Sequence, residues 1–92
     1  MIKYYLVNKE KNIRMRITKD RVIIGRAHFP NETTISRKHV ELTIHEKGIF
    51  LEDLMSSNKT YINGLPIPPH KPLEIKANQE IKIGKLALTL II

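Results

Sequence analysis

The sequence contains no cysteine, and this absence removes several kinds of site. Without thiols the chain can form no disulfide framework, no thiolate zinc site and no cysteine nucleophile. Its four glycines are too few for a glycine-rich phosphate cradle, and no G-x-x-x-x-G-K-[ST] motif occurs. The four histidines lack the spacing of zinc ligands: His28, His39, His45 and His70. We therefore expect neither a metal nor another cofactor.

Long apolar runs are also missing. No stretch approaches the ~20 apolar residues of a membrane helix. The segment Met1 to Val7 lacks the long apolar region and the small-residue cleavage site of a secretion signal. We expect a cytoplasmic protein that is not inserted in a membrane. Its 92 residues suffice for one domain, residues 1–92, and we expect a monomer.

Aromatic residues are scarce, so the core must be aliphatic. Tryptophan is absent and only 5% of residues are aromatic, whereas 41% are apolar. Such a core favours strands, because Ile and Val suit a pleated surface. Apolar and polar residues alternate with the period of a half-buried strand in Ile13 to Thr18, Val40 to His45 and Glu80 to Ile83. Further strands are expected at Tyr4 to Val7, Arg21 to Ile24, Ile49 to Leu54, Thr60 to Ile62, Leu73 to Ile75 and Leu86 to Ile92.

Turn-forming residues separate these strands. Asn63-Gly64 is the strongest hairpin signal, because both residues accept the positive φ of a tight turn. Short strands without helices between them predict an all-β fold, an antiparallel two-sheet β-sandwich of about eleven strands. We expect its long connections, Ala27 to Ile35 and Met55 to Lys59, to cluster at one end. Loops carried on a rigid sheet often hold binding residues.

The chain carries an excess of positive charge. Sixteen Lys and Arg against nine Asp and Glu give a formal charge of +7. This excess would attract nucleic acid, an anionic membrane or a phosphorylated protein. Most of the lysines fall at turns or at alternate strand positions, where a solvated face explains them. The charge therefore indicates an anionic partner without choosing one.

Three motifs stand out against this background. Gly25-Arg26 closes one strand, Ser36-Arg37-Lys38-His39 opens the next, and the run Asp53 to Gly64 contains Ser57-Asn58 and ends in Asn63-Gly64. Together they resemble the forkhead-associated (FHA) domain, whose pattern is G-R, then S-x-x-H, then a loop close to S-x-N-G-T that ends in N-G. The order, spacing and strand context match over essentially the whole chain, from Tyr4 to Ile92.

The same residues suit a phosphate group on physical grounds. A phosphorylated hydroxyl residue carries nearly two negative charges and three strong acceptor oxygens. Its site needs a guanidinium and several short donors on converging loops. The sequence supplies that set as Arg26, Ser36, Arg37 and Ser57.

The resemblance implies a role for each residue. Arg26, Ser36 and Ser57 would bind the phosphate, Arg37 would add a second cation, and Asn58 would bind the main chain of the peptide through its amide. Four further residues would support the site: Gly25, His39, Asn63 and Gly64. For Ser36 the plain alternative is a loop serine that caps the backbone. For Asn58 it is a turn that organises only its own loop.

Ser36, His39 and Asp53 form a nominal catalytic triad, which we reject. His39 precedes the apolar residues Val40 and Leu42 of a predicted strand, so a packed histidine that bonds neighbouring loops fits better. The resembled family uses this histidine architecturally. No G-x-S-x-G nucleophile elbow is present. We expect no enzymatic activity.

Two residues depart from the family pattern. Lys59 stands where glycine is usual, and Met55 where glycine is frequent. A side chain at a positive-φ position costs about 1 kcal/mol, so the loop is expected to be strained or reshaped.

The resemblance implies an adaptor that reads the output of a Ser/Thr kinase by binding a phosphothreonine-containing segment. One alternative is an FHA-like module that binds its partner without phosphate. Another is nucleic-acid binding through the basic surface, but the sequence offers no recognition helix and no clear stacking residues. We expect no nucleic-acid partner.

Overall fold

The computed structural model describes residues 2–92. Met1, part of the segment assessed above for a secretion signal, lies outside the described residues. Residues 2–92 form ten strands and one short 3₁₀ helix, Arg26–His28. The strands are β1 Tyr4–Asn8, β2 Ile13–Ile17, β3 Arg21–Ile24, β4 Val40–His45, β5 Gly48–Asp53, β6 Thr60–Ile62, β7 Leu65–Pro66, β8 Leu73–Ile75, β9 Glu80–Ile83 and β10 Leu86–Ile91.

The strands form two antiparallel sheets. One has six strands in the order β2-β1-β10-β9-β6-β7, and the other has four in the order β3-β4-β5-β8. The predicted all-β antiparallel sandwich is confirmed. Strand β7 is not among the predicted strands. It follows the predicted turn at Asn63-Gly64, and its Pro66 pairs with Tyr61 at the sheet edge, where a residue without an N–H is tolerated.

An aliphatic core lies between the sheets. The alternation read from the sequence decides which side chains enter it: in β9, Ile81 and Ile83 are buried while Glu80 and Lys82 are exposed. Each buried Ile or Leu contributes about 1.5–3 kcal/mol of transfer free energy. The largest fully buried aliphatic side chains are Ile24, Ile35, Val40, Leu42, Leu51, Ile75, Ile81, Ile83, Leu86, Leu88 and Leu90.

Strand register brings the ends of at least six strands to one end of the sandwich. In the four-stranded sheet, Ile24 pairs with Val40, and Val40 pairs with Asp53. In the six-stranded sheet, Ile83 pairs with both Thr60 and Leu86. The β3–β4, β5–β6 and β9–β10 connections therefore leave from the same end. The expected clustering of the long connections is confirmed.

No helix in the described part of the chain has the length and apolar character needed to cross a lipid bilayer.

Candidate functional site

Two loops meet at this end and are bonded to each other. We define loop 1 as residues 25–39 and loop 2 as residues 54–59. The Ser57 N–H donates to Ser36 Oγ at 3.0 Å, and the Asn58 side-chain amide donates to the Thr34 carbonyl at 2.8 Å. A third bond joins the ring of His39 to loop 2. The two loops therefore form one surface with a fixed relative position.

Gly25 lets loop 1 fold back on itself. The residue is buried, and a Cβ built on it would lie 1.7 Å from the Arg37 carbonyl oxygen. The next N–H, that of Arg26, donates to the Ser36 carbonyl at 3.1 Å. The start and the end of loop 1 thus touch backbone to backbone, which any side chain at Gly25 would prevent. The glycine of the Gly-Arg motif is required by this close approach.

Arg26 is exposed but anchored. Its Nε donates to the Ile35 carbonyl at 3.0 Å, which fixes the side chain along loop 1. A guanidinium has five N–H donors in a planar fork, and this bond uses one of them. The terminal nitrogens remain available at the surface where loops 1 and 2 meet. Such a preoriented fork is suited to an anion with several acceptor oxygens.

Ser36 and Ser57 lie next to each other across the two loops. Because Ser36 Oγ accepts the Ser57 N–H at 3.0 Å, the hydroxyl hydrogen of Ser36 stays free to donate elsewhere. Ser57 is exposed, and so are Arg37 and Lys38, which follow Ser36. The structure thus brings hydroxyl donors and cations to one surface. Ser36 does not act merely as a local cap, because its bond crosses to the other loop.

His39 is fully buried and links the loops from below. Its Nδ1 accepts the Ser36 N–H at 3.0 Å, so that nitrogen carries no proton. The opposite nitrogen, Nε2, therefore donates to the Lys59 carbonyl at 2.9 Å. One neutral ring in a single tautomer satisfies a donor on loop 1 and an acceptor on loop 2.

Replacing His39 with alanine should lower stability before it affects binding. The change removes two hydrogen bonds, leaves the part-buried Ser36 N–H without a partner and empties the space of a fully buried ring, so we expect a loss of about 2–3 kcal/mol. That corresponds to roughly 10–20 °C in the melting temperature of a domain of this size. Thermal denaturation checks this, with the exposed His45→Ala as control. A fully stable variant that no longer binds ligand would contradict this role.

Asp53 organises loop 2, a role that the sequence analysis missed. Its buried carboxylate accepts the Ser56 N–H at 3.1 Å, the Ser56 hydroxyl and, at 2.6 Å, the Thr60 hydroxyl. These bonds join the residue before loop 2 to the residue after it. They also leave Asp53 apart from His39, whose ring bonds Ser36 N–H and Lys59. The three residues of the nominal triad therefore form no proton relay in this structure.

Asn58 spans the loops. It donates one amide hydrogen to Thr34 on loop 1, rather than closing a turn within loop 2. Its carbonyl oxygen and second N–H stay free on an exposed side chain. That leaves one acceptor and one donor, the pair needed by an extended peptide backbone.

Asn63 and Gly64 lie at the other end of β6, a strand's length from loop 2. Both have positive φ, 50° and 84°, which fits the predicted tight turn. The Asn63 side chain accepts the Glu80 N–H at 3.1 Å, and the Asn63 N–H donates to the Glu80 carbonyl at 2.9 Å. Their contacts join β6 to β9, so any support that they give to the site acts through these strands.

A third segment, the β9–β10 turn, packs on loop 1. The Lys85 N–H donates to Thr34 Oγ1 at 2.8 Å. Gly84 has φ 59°, and a Cβ on it would lie 2.6 Å from the Thr34 carbonyl oxygen. The sequence predicts no role in the site for Gly84 or Lys85. The only local signal was a glycine between two strand patterns.

Both departures from the family pattern occur at left-handed backbone positions. Met55 has φ 60° and Lys59 has φ 65°. Each side chain thus occupies a conformation that glycine adopts without strain, at a cost of about 1 kcal/mol. Both side chains are exposed. Loop 2 keeps the backbone shape that the usual glycines would allow, and it carries strain in keeping it.

The fold and this loop end together define a β-sandwich with a basic, hydroxyl-bearing end. The sequence model of the FHA domain matches residues 18–84, a range that includes both loops and the start of the β9–β10 turn. The chain belongs to the forkhead-associated (FHA) domain family.

Two curated bacterial proteins contain a similar segment. Protein FraH of Nostoc sp. (strain PCC 7120) is 35% identical over 57 residues, which are 62% of this chain and 20% of FraH. The oxoglutarate dehydrogenase inhibitor of Corynebacterium efficiens is 35% identical over 60 residues, which are 65% of this chain and 40% of that protein. The matched segment is thus less than half of either relative.

Solved FHA domains share the fold. The N-terminal FHA domain of Saccharomyces cerevisiae Rad53p, determined in complex with a phosphothreonine peptide, matches with a TM-score of 0.84 and 20% identity. The match covers 99% of this chain and 94% of that one. At this level of identity the similarity establishes the architecture.

Proposed function

We propose that the chain binds a phosphothreonine-containing protein segment at the end of the sandwich where loops 1 and 2 meet. The observation that carries this proposal is the junction of Arg26, Ser36 and Ser57. Arg26 is held by Ile35 with most of its fork free, and Ser36 is held by Ser57 with its hydroxyl hydrogen free. These donors suit the three oxygens of a phosphate monoester.

Asn58 extends the proposed site from the phosphate to the peptide. Its anchored amide has a free donor and a free acceptor beside Ser57. Contacts to the ligand main chain through this residue would add affinity without reading sequence. The supporting residues of the proposed site are Gly25 and His39, which hold loop 1 closed and bonded to loop 2, and Asn63 and Gly64, which fix β6 against β9.

Membership in the FHA family supports this assignment, as does the similar fold of the Rad53p domain that was solved with a phosphothreonine peptide. We propose that the domain acts as a cytoplasmic adaptor in Ser/Thr kinase signalling and as a monomer. Binding, rather than catalysis, is the role proposed for its loop residues.

Generic polyanion binding is the rival that the +7 charge allows. Nucleic acid held by a spread of lysines would lose orders of magnitude in affinity between low and moderate salt, because each phosphate contact releases counterions. A single phosphopeptide pocket would lose far less. The tyrosines offer little for base stacking: Tyr4, Tyr5 and Tyr61 are all partly buried, and the Arg14 guanidinium lies 4.4 Å from the centre of the Tyr5 ring.

A degenerate phosphothreonine peptide array, with matched unphosphorylated and phosphoserine peptides, tests the function. We expect binding to phosphothreonine peptides and none to the unphosphorylated set. Loss of the γ-methyl should weaken binding about fourfold or more, since burying one methyl is worth about 0.8 kcal/mol.

Equal binding of phosphorylated and unphosphorylated peptides would favour the phosphate-independent alternative. Equal affinities for phosphothreonine and phosphoserine would refute the methyl preference alone. If nucleic acid displaced every phosphopeptide at physiological salt, the basic surface would be the functional site instead.

A further inference from the structure

The loop end carries more positive charge than one phosphate requires. Five exposed cations lie on loops 1 and 2 and the β9–β10 turn: Arg26, Arg37, Lys38, Lys59 and Lys85. Within residues 2–92, none of the ion pairs found involves any of these five. A phosphothreonine brings about −1.5 to −2 charges at neutral pH. The excess indicates a ligand with further negative charge.

The acidic residues on or directly beside loops 1 and 2 do not neutralise these cations. Glu32 on loop 1 is paired with Lys11 of the β1–β2 turn, at 2.6 Å. Asp53 is buried and accepts bonds from Ser56 and Thr60. In the described structure, the surface formed by loops 1 and 2 and the β9–β10 turn therefore carries these five cations and no unpaired carboxylate.

Two of the five cations, Lys59 and Lys85, lie on backbone that is bonded to the neighbourhood of Asn58. Thr34 is the link, since its carbonyl accepts the Asn58 amide at 2.8 Å and its Oγ1 accepts the Lys85 N–H at 2.8 Å. The Lys59 carbonyl in turn accepts the Gly84 N–H at 3.3 Å, so loop 2 is bonded to the β9–β10 turn. The backbones of Lys59 and Lys85 are thus fixed around the residue proposed to bind the peptide main chain.

The backbone conformation of Lys59 is a second observation that points to a role in ligand binding. It has φ 65°, a left-handed conformation that a lysine adopts at a cost and that glycine or asparagine adopts more readily. Strained positions of this kind concentrate at functional sites. The strain holds a long, exposed cationic side chain beside Asn58.

We propose that Lys59 and Lys85 bind a carboxylate side chain that flanks the phosphothreonine, so that the ligand of this domain is an acidic phosphothreonine segment. This proposal rests on the proposed function. Arg26, Ser36 and Ser57 bind the phosphate, Asn58 binds the main chain, and the two lysines select a neighbouring Asp or Glu. Two partly exposed charge pairs of this kind together contribute about fivefold in affinity.

A double-mutant cycle between peptide and protein tests the proposal. From the best phosphothreonine peptide of the array, matched peptides are made with Glu or Gln at each flanking position in turn. Their dissociation constants are measured by calorimetry for the unmodified chain, Lys59→Asn and Lys85→Gln. Asparagine tolerates the positive φ of Lys59, so this variant removes charge while keeping the loop shape. The control is Lys47→Gln, which removes the same charge from the β4–β5 turn at the opposite end.

At one flanking position we expect Glu to bind about fivefold more tightly than Gln in the unmodified chain and in Lys47→Gln. The preference should fall to below about twofold in Lys85→Gln or Lys59→Asn, and raised salt should weaken it in the unmodified chain. If phosphothreonine peptides bind without a Glu preference, or with one that Lys47→Gln reduces equally, the acidic selectivity is wrong and the proposed function stands. If no phosphothreonine peptide binds, both are wrong.

Discussion

Alanine at Gly25 should disrupt the loop end and destabilise the whole domain by at least about 3 kcal/mol, the upper range for forcing an extra methyl into a packed interior. The added Cβ would meet the Arg37 carbonyl oxygen at 1.7 Å and the Ser36 carbonyl oxygen at 2.9 Å. Both are backbone atoms, so no side-chain rotation relieves the overlap. Loop 1 would have to open, and the Arg26 N–H bond to Ser36 would be lost with it.

Thermal denaturation followed by circular dichroism measures this effect. For a domain of this size, the melting temperature should fall by roughly 12 °C or more. Gly64→Ala is the matched control, because Gly64 has φ 84° but nothing within 4 Å of its would-be Cβ. It should cost only the conformational strain of about 1 kcal/mol. Equal losses in the two variants would mean that the backbone contact at Gly25 is not a constraint on folding.

The sheets could be predicted from the sequence because apolar and polar residues alternate along several of the strands, which is the pattern of a half-buried strand. Strands β4 and β9 have the predicted bounds, since their alternation of apolar and polar residues decides which face is buried. Strand β7 and the 3₁₀ helix at Arg26–His28 were not predicted. Each is too short for a period, and both depend on neighbours that fold against them.

The candidate site, too, could be predicted from the sequence only in part. Its motif residues could be named because Gly25-Arg26, Ser36 and Asn58 sit in recognisable order around strand patterns. Their partners could not be named. Lys85 meets Thr34 across 51 residues of sequence, and Asn58 meets it across 24. No local pattern encodes such contacts, because the strand register decides which loops share an end.

The role of Asp53 in loop 2 was also not predicted from the sequence. Sequence reasoning considered its carboxylate only as part of a triad, since Ser, His and Asp attract a catalytic interpretation. In the structure the same carboxylate accepts bonds from Ser56 and Thr60 and closes loop 2. A buried carboxylate is retained when hydrogen bonds satisfy it, and here Ser56 and Thr60 supply them. Burial of the side chain, which the sequence does not reveal, separates the two interpretations.

Replacing Arg26 with alanine should remove most phosphopeptide binding while leaving the domain folded. Each charge-assisted hydrogen bond to a phosphate is worth about 1.5–3 kcal/mol, so the affinity should fall by about 10- to 150-fold for one such bond and further for two. The structural cost is the bond from Nε to the Ile35 carbonyl, about 1 kcal/mol for an exposed side chain. Stability should therefore change by only a few degrees in melting temperature.

Calorimetric titration with the best phosphothreonine peptide, alongside thermal denaturation, separates these two effects. Arg26→Lys keeps the charge but loses the planar fork, and should fall between the unmodified chain and Arg26→Ala. Arg14→Ala removes the same charge from the outer face of the six-stranded sheet, where its guanidinium lies over Tyr5. It should bind the peptide as the unmodified chain does, with a small effect of net charge that disappears at higher salt. If a folded Arg26→Ala variant bound the peptide with unchanged affinity, the phosphate would not bind at the junction of loops 1 and 2, and the proposed site would be wrong.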